Sequence, residues 1–127
     1  MIQSSAQNTY KKNQVGTATP EDLTLMLYDG AIKFIKRAKQ AIEEKQYNKA
    51  HDLNTRVQDI LSELIITLDR KYPIAEQMLL LYDYMKRRMI EANVKKDIAI
   101  LDEVEGFFVE FRDTWKQAMI LARSQQN

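Results

Sequence analysis

Apolar residues recur at intervals of three and four along most of the chain, and this period predicts helices rather than strands. The spacing predicts helices over residues 20–44, 48–70, 73–93 and 97–122. Thr19 is a suitable N-cap for the first of them, with Pro20 at the first helical position and acidic Glu21 and Asp22 beside the positive end of the helix. Because the connections are short, consecutive helices are expected to be antiparallel neighbours. The predicted fold class is therefore all-α, an antiparallel up-down four-helix bundle.

Each predicted helix has an apolar stripe that is expected to face the core. On the first helix the stripe consists of Leu23, Leu27, Ala31, Phe34, Ala38 and Ala41, and Ile35 widens it. On the second it consists of Ala50, Leu53, Val57, Ile60, Leu61, Leu64 and Leu68. The third and fourth stripes are Ile74, Met78, Leu81, Tyr82, Met85, Met89 and Ala92, and Leu101, Val104, Phe108, Phe111, Trp115, Met119 and Ala122.

The two ends of the chain lack this pattern. Residues 1–18 are polar, with Ile2, Tyr10 and Val15 as their only large apolar side chains, and they are expected to form a mobile N-terminal arm. Residues 19–122 are expected to form the bundle domain, and the polar residues 123–127 a frayed tail.

Composition narrows the possible functions. A chain of 127 residues fits one domain, and 19 basic against 18 acidic residues give a net charge of +1, which favours neither nucleic acid nor an anionic membrane as a partner. The chain has no cysteine, no apolar signal-peptide segment near its start and no stretch as long as a membrane-spanning helix. We therefore expect a soluble cytosolic protein that does not insert into membranes.

Residues suited to catalysis or metal binding are sparse. His51 is the only histidine, and we expect it to be a half-exposed polar residue; a phosphoryl-accepting histidine is the alternative. The carboxylates of Asp102, Glu103 and Glu105 are expected to be solvated, and the basic run 86–88 to complement the C-terminal half of its helix. We expect no enzyme activity, no metal site and no cofactor.

Two predicted helices carry more apolar surface than one core-facing stripe requires. The additional residues are Leu25, Tyr28 and Ile32 on the first helix and Leu79, Leu80, Tyr84 and Ile90 on the third. About half of such residues are expected to contact the neighbouring helices of the bundle. The others are suited to an amphipathic helix from a partner, so the residues alone predict a helical binding module.

Several segments resemble one known family. Asn8–Lys11, the longer run Val15–Ala31, the segment Leu81–Met85, Glu91–Asn93 and Phe111–Lys116 are similar to the FliS family of flagellin-specific export chaperones, and the similarity spans about Tyr10 to Ala122. The resemblance implies a four-helix bundle that binds the disordered C-terminal segment of flagellin, prevents its premature polymerisation and delivers it to the flagellar type III export apparatus. It implies two further partners, the cytoplasmic domain of the export gate protein and, in some members, a co-chaperone.

Combined with the resemblance, the apolar surplus predicts a flagellin groove. Its predicted residues are Leu25, Tyr28, Ile32, Leu79, Leu80, Tyr84 and Ile90, with Arg87 and Arg88 orienting the polar side of the bound segment. The resemblance also implies that Tyr10, with Val15, covers the groove before flagellin binds. The alternatives are an aromatic contact from Tyr10 to the export gate and a disordered arm in which Tyr10 has no role. The competing functions are a generic adaptor for another amphipathic helix and a histidine phosphotransfer domain that depends on His51.

Overall fold

The computed structural model describes residues 19–125, which form four helices and no strand. The helices are α1 (Pro20–Glu43), α2 (Tyr47–Thr67), α3 (Ala75–Lys95) and α4 (Ile98–Gln125). The predicted all-α fold class is confirmed. Each helix packs against its neighbours in sequence, and α4 closes the bundle against α1.

Side-chain contacts show the helix directions. Near the end of α1, Lys39 Nζ lies 2.7 Å from Asp102 Oδ1 at the beginning of α4. At the other end, Trp115 Nε1 of α4 donates to the Glu21 carbonyl oxygen in the first turn of α1, at 2.9 Å. These two contacts make α1 and α4 antiparallel neighbours. Both α2 and α4 pack against α1 and α3, so α1 and α3 occupy diagonal corners of the bundle.

The helix ends follow local backbone chemistry. Thr19 caps α1 as predicted, and its side chain and that of Asp22 each accept a hydrogen bond from the other residue's backbone N–H. Asp97 Oδ1 accepts the N–H of Ala99 at 2.9 Å and so caps α4. The helices α1 and α3 both end in a left-handed turn, at Lys45 with φ 60° and at Lys96 with φ 52°.

The connection between α2 and α3 is longer than predicted. The helix α2 ends at Thr67 rather than at residue 70, and α3 begins at Ala75 rather than at Pro73. The Asp69 side chain accepts the backbone N–H of Lys71 at 3.0 Å, which stabilises a turn in place of another helical turn. Because Pro73 disfavours helical backbone in the residue before it, the two helices are separated at this point.

The core agrees with the predicted stripes on α2 and in the middle of α3 and α4. Two predicted core residues are wrong: Ile74 lies before α3 and is 59 % exposed, and Ala122 is exposed near the end of α4. On α1 the buried stripe is centred about one position away from the predicted one. It consists of Tyr28, Ala31, Ile32, Ile35, Ala38 and Ala41, whereas Leu23, Leu27 and Phe34 are only partly buried.

Candidate partner-binding surface

Three large aliphatic residues are exposed on the outward side of α3, and the last of them lies in its final turn. Leu80 is 69 % exposed, Ile90 46 % and Val94 81 %. Leu80 and Val94 are separated by fourteen positions, or nearly four helical turns, and therefore lie on the same side of the helix, about 40° apart. Sequence reasoning identified Leu80 and Ile90 but missed Val94, although the same spacing rule could have found it.

Tyr84 and Arg88 lie on the side of α3 that faces α4. The Tyr84 hydroxyl donates to Glu103 Oε2 at 2.6 Å, and Arg88 Nε donates to Glu103 Oε1 at 2.8 Å. The Tyr84 ring meets the Phe107 ring at 87°, with centroids 6.3 Å apart. This edge-to-face contact is a favourable aromatic geometry.

The opposite flank of α3 faces α2. Lys86 Nζ donates to Ser62 Oγ at 2.7 Å, and Asn93 Nδ2 lies 2.8 Å from His51 Nδ1. The predicted residues Leu79 and Ile90 lie on this flank by helical position, since Leu79 is seven residues before Lys86 and Ile90 is four after it. Leu79 and Ile90 are thus on the opposite flank of α3 from Tyr84.

The predicted residues of α1 lie inside the bundle. Tyr28 and Ile32 are buried, and Tyr28 packs against Phe108 and Phe111 of α4. The Tyr28 hydroxyl also lies 2.7 Å from the buried hydroxyl of Tyr82 on α3. These side chains present no open surface, because the apolar surplus on α1 is covered by other helices of the same chain.

Leu25 is the exception on α1. It is partly buried and lines a small open cleft with Met119 and Ile120 near the end of α4. The predicted groove residues therefore occupy different places. Leu25 lies at the α1–α4 seam and the α3 residues lie at the diagonal corner, so the described structure does not bring them into one groove.

The two arginines have different surroundings. Arg87 Nε lies 3.3 Å from Asp83 Oδ2 on the same helix, and its side chain is largely exposed. Arg88 bridges α3 to α4 through Glu103 and also pairs with Glu91 at 2.6 Å. Arg87 can therefore reach a partner without breaking a contact between helices, whereas Arg88 cannot.

The expectation of solvated carboxylates on α4 is wrong for Glu105, whereas Glu103 is partly exposed and paired with α3. Glu105 is buried, and its oxygens lie 2.7 Å from Lys36 Nζ and 2.6 Å from Lys39 Nζ. Both lysines belong to α1, so Glu105 joins α1 to α4 as Glu103 joins α3 to α4. Asp102 is largely exposed, as predicted, although it also pairs with Lys39.

These contacts shift the pKa values of the two carboxyl groups. Hydrogen bonds from Tyr84 and Arg88 lower the pKa of Glu103. Burial opposes the ionisation of Glu105, but Lys36 and Lys39 outweigh it and lower the pKa of that group as well. Both groups therefore bind protons more weakly in the folded than in the unfolded chain, and their contribution to stability is present above the unfolded pKa of about 4.3 and lost at lower pH.

Glu105→Gln is therefore expected to reduce the acid sensitivity of the fold. At pH 7 the variant should lose about 1 kcal/mol of unfolding free energy, since one of its lysine partners is well hydrated. Urea unfolding at pH 7 and pH 3 should show a smaller difference in free energy for this variant than for the wild type. The exposed Glu110 provides the matched control, Glu110→Gln. Equal pH dependence of the two variants would contradict the assignment.

Residues 19–125 contain no group of three or more histidine, cysteine, aspartate or glutamate side chains that could hold a metal ion. His51 is exposed, and its Nδ1 atom is occupied by Asn93. Within the same range, none of the helices is long and apolar enough to cross a membrane. Tyr10 and Val15 lie outside the described residues.

Comparison with known proteins identifies the family. Residues 2–122 match the family model described as "Flagellar protein FliS". A relative from Bacillus subtilis, named flagellar secretion chaperone FliS, is 45 % identical over 118 residues, covering 93 % of this chain and 89 % of the relative. The protein of the same name from Salmonella typhimurium is 33 % identical, and the match covers 91 % of this chain and 88 % of the relative. The one from Escherichia coli is 28 % identical, and the match covers 91 % of this chain and 92 % of the relative. The chain therefore belongs to the FliS family of flagellar secretion chaperones.

Proposed function

We propose that this protein is a cytosolic export chaperone for flagellin. It binds the disordered C-terminal segment of flagellin, prevents premature polymerisation and delivers the subunit to the flagellar type III export apparatus through the export gate protein. Membership of the family supports the general role. The observation that carries the binding proposal is the exposed apolar surface of α3, on which Leu80 and Val94 project from a well-packed helix.

The flanks of α3 suit a segment that folds as it binds. A disordered segment loses conformational entropy when it becomes ordered, so the chaperone must supply substantial apolar contact. Leu80 and Tyr84 border this surface on the α4 side, while Leu79 and Ile90 border it on the α2 side. The largely exposed Arg87 is placed to orient the polar side of the segment.

Residues on α1 have a smaller part in this proposal than the sequence predicted. Tyr28 and Ile32 support the bundle from within, so they affect binding through the position of other helices. Leu25 remains a candidate contact in its cleft beside the end of α4. Tyr10 and Val15 precede Thr19, which lies at the same end of the bundle as the Leu25 cleft. We propose that they contact the export gate or cover the binding surface.

Leu80→Ala is expected to weaken binding of a flagellin C-terminal peptide about tenfold or more, because it removes a central apolar contact. The bundle should keep its melting temperature, since the side chain is exposed. Ile66→Ala is the matched control, because Ile66 on α2 is also an exposed aliphatic residue but lies outside the predicted groove. Titration calorimetry of both variants tests the prediction.

Two results would contradict the assignment of Leu80. In the first, both variants bind the peptide as tightly as the wild type. In the second, Leu80→Ala unfolds at a clearly lower temperature while its affinity per folded molecule is unchanged. The second result would place Leu80 among the residues that stabilise the bundle.

A further inference from the structure

The contact between Tyr84 and Glu103 has a geometry that the binding proposal alone does not explain. The Tyr84 hydroxyl donates to one carboxylate oxygen of Glu103, and Arg88 donates to the other. Arg88 is in turn held by Glu91, which also accepts from Lys95 at 2.8 Å. The Tyr84 hydroxyl is therefore held by a network of charged side chains that connects α3 to α4.

Aromatic residues continue from Tyr84 into the core. Its ring meets Phe107 edge to face, and Phe107 stacks on Phe111 with centroids 6.4 Å apart. Phe111 contacts the rings of the buried tyrosines Tyr28 and Tyr82. Phe107 and Phe111 are partly buried, and Tyr84 lies at the outer end of this series. Displacing the Tyr84 ring would open an apolar site above Phe107.

We propose that the hydrogen bond from Tyr84 to Glu103 is a latch that holds the tyrosine ring over a partner-binding site between α3 and α4. An apolar side chain from an amphipathic helix replaces the ring against Phe107 once the latch opens. The inference rests on the proposed function for its ligand, the flagellin C-terminal segment. It adds that the free protein inhibits its own binding site.

The latch sets the fraction of molecules that can bind. If the closed form dominates, the apparent dissociation constant exceeds the intrinsic one by the reciprocal of the open fraction. Tyr84→Phe keeps the ring and removes only the hydroxyl, so it weakens the closed form without removing apolar surface. The Arg88–Glu103 pair still joins the two helices in this variant.

Tyr84→Phe is expected to raise the association rate of a flagellin C-terminal peptide about three- to tenfold, the factor that one modest hydrogen bond supports, with an unchanged dissociation rate. Tyr47→Phe is the matched control, because Tyr47 is an exposed tyrosine at the start of α2. Stopped-flow mixing with a labelled peptide gives both rates. An unchanged or reduced association rate for Tyr84→Phe would overturn the latch.

A measurement without flagellin separates this inference from the proposed function. The apolar dye anilinonaphthalene sulfonate should bind Tyr84→Phe several times more strongly than the wild type, because Phe107 is uncovered more often. Tyr47→Phe should leave dye binding unchanged. If the wild type fails to bind the peptide, the proposed function is contradicted, and the dye comparison still decides the latch: equal dye binding by all three proteins would overturn it.

Discussion

Replacing Phe108 by alanine is expected to lower the free energy of unfolding by about 3–5 kcal/mol, the largest effect of any substitution considered. Phe108 is completely buried at the centre of α4 and packs against Tyr28 of α1. Its removal leaves a cavity that helices on both sides cannot fully close. Since domains of this size are stable by only about 5–15 kcal/mol, the variant should lose a large part of its stability.

The adjacent residue provides the control for this prediction. Phe107→Ala makes the same chemical change one position away, but Phe107 is only partly buried. The loss should therefore be clearly smaller, about 1–2 kcal/mol. Urea unfolding followed by circular dichroism measures both variants. Equal losses, or a larger loss for Phe107→Ala, would contradict the described orientation of α4.

The contact between the Tyr28 and Tyr82 hydroxyls predicts that the stability losses of the two phenylalanine substitutions do not add. The two oxygens lie 2.7 Å apart in the core, and burial raises the pKa of both groups, so both remain protonated at neutral pH. Tyr28→Phe removes one partner and leaves the Tyr82 hydroxyl buried without it. The expected cost is about 1–3 kcal/mol, and Tyr82→Phe should cost a similar amount.

The double variant distinguishes this pair from two independent contacts. With both hydroxyls absent no buried polar group is left unpaired, so the double substitution should be close to neutral and more stable than either single variant. Urea unfolding of all four proteins completes the cycle. If the two single losses add in the double variant, the hydroxyls do not depend on each other and the described contact is wrong.

The fold was largely predictable, because most of the apolar residues that recur along each helix are buried in the core. Thr19 also carried recognisable capping chemistry. The connection between α2 and α3 was less predictable, because its turn depends on a local hydrogen bond from the backbone of Lys71 to Asp69. Ala122 was wrongly assigned to the core, because helical periodicity shows which way a side chain points but not where the neighbouring helices end.

The candidate site was predicted less well, for a geometric reason. Periodicity showed that α1 and α3 each have surplus apolar residues, but it could not show that the two helices are diagonal. In that arrangement Tyr28 points into the centre and meets Tyr82, whereas Leu80 points outward. The ion pairs of Glu105 could not be predicted either, because its partners Lys39 and Lys36 lie 66 and 69 positions earlier in the chain.

The structure suggests how stability and binding are divided within one small bundle. The interior aromatic and aliphatic residues fix the four helices, and interhelical ion pairs at Glu103 and Glu105 join α4 to both neighbours. This leaves the outward side of α3 free to carry apolar residues that the bundle itself does not need. Such a surface fits the proposed binding of a flagellin segment.

The decisive measurement of flagellin binding is titration calorimetry of the full chain with the flagellin C-terminal segment. We expect a 1:1 complex with a markedly negative heat-capacity change, because an apolar segment becomes ordered on an apolar surface. Flagellin that lacks its C-terminal segment should give no heat of binding. Absence of binding by the intact segment, or equal binding by truncated flagellin, would contradict the proposal.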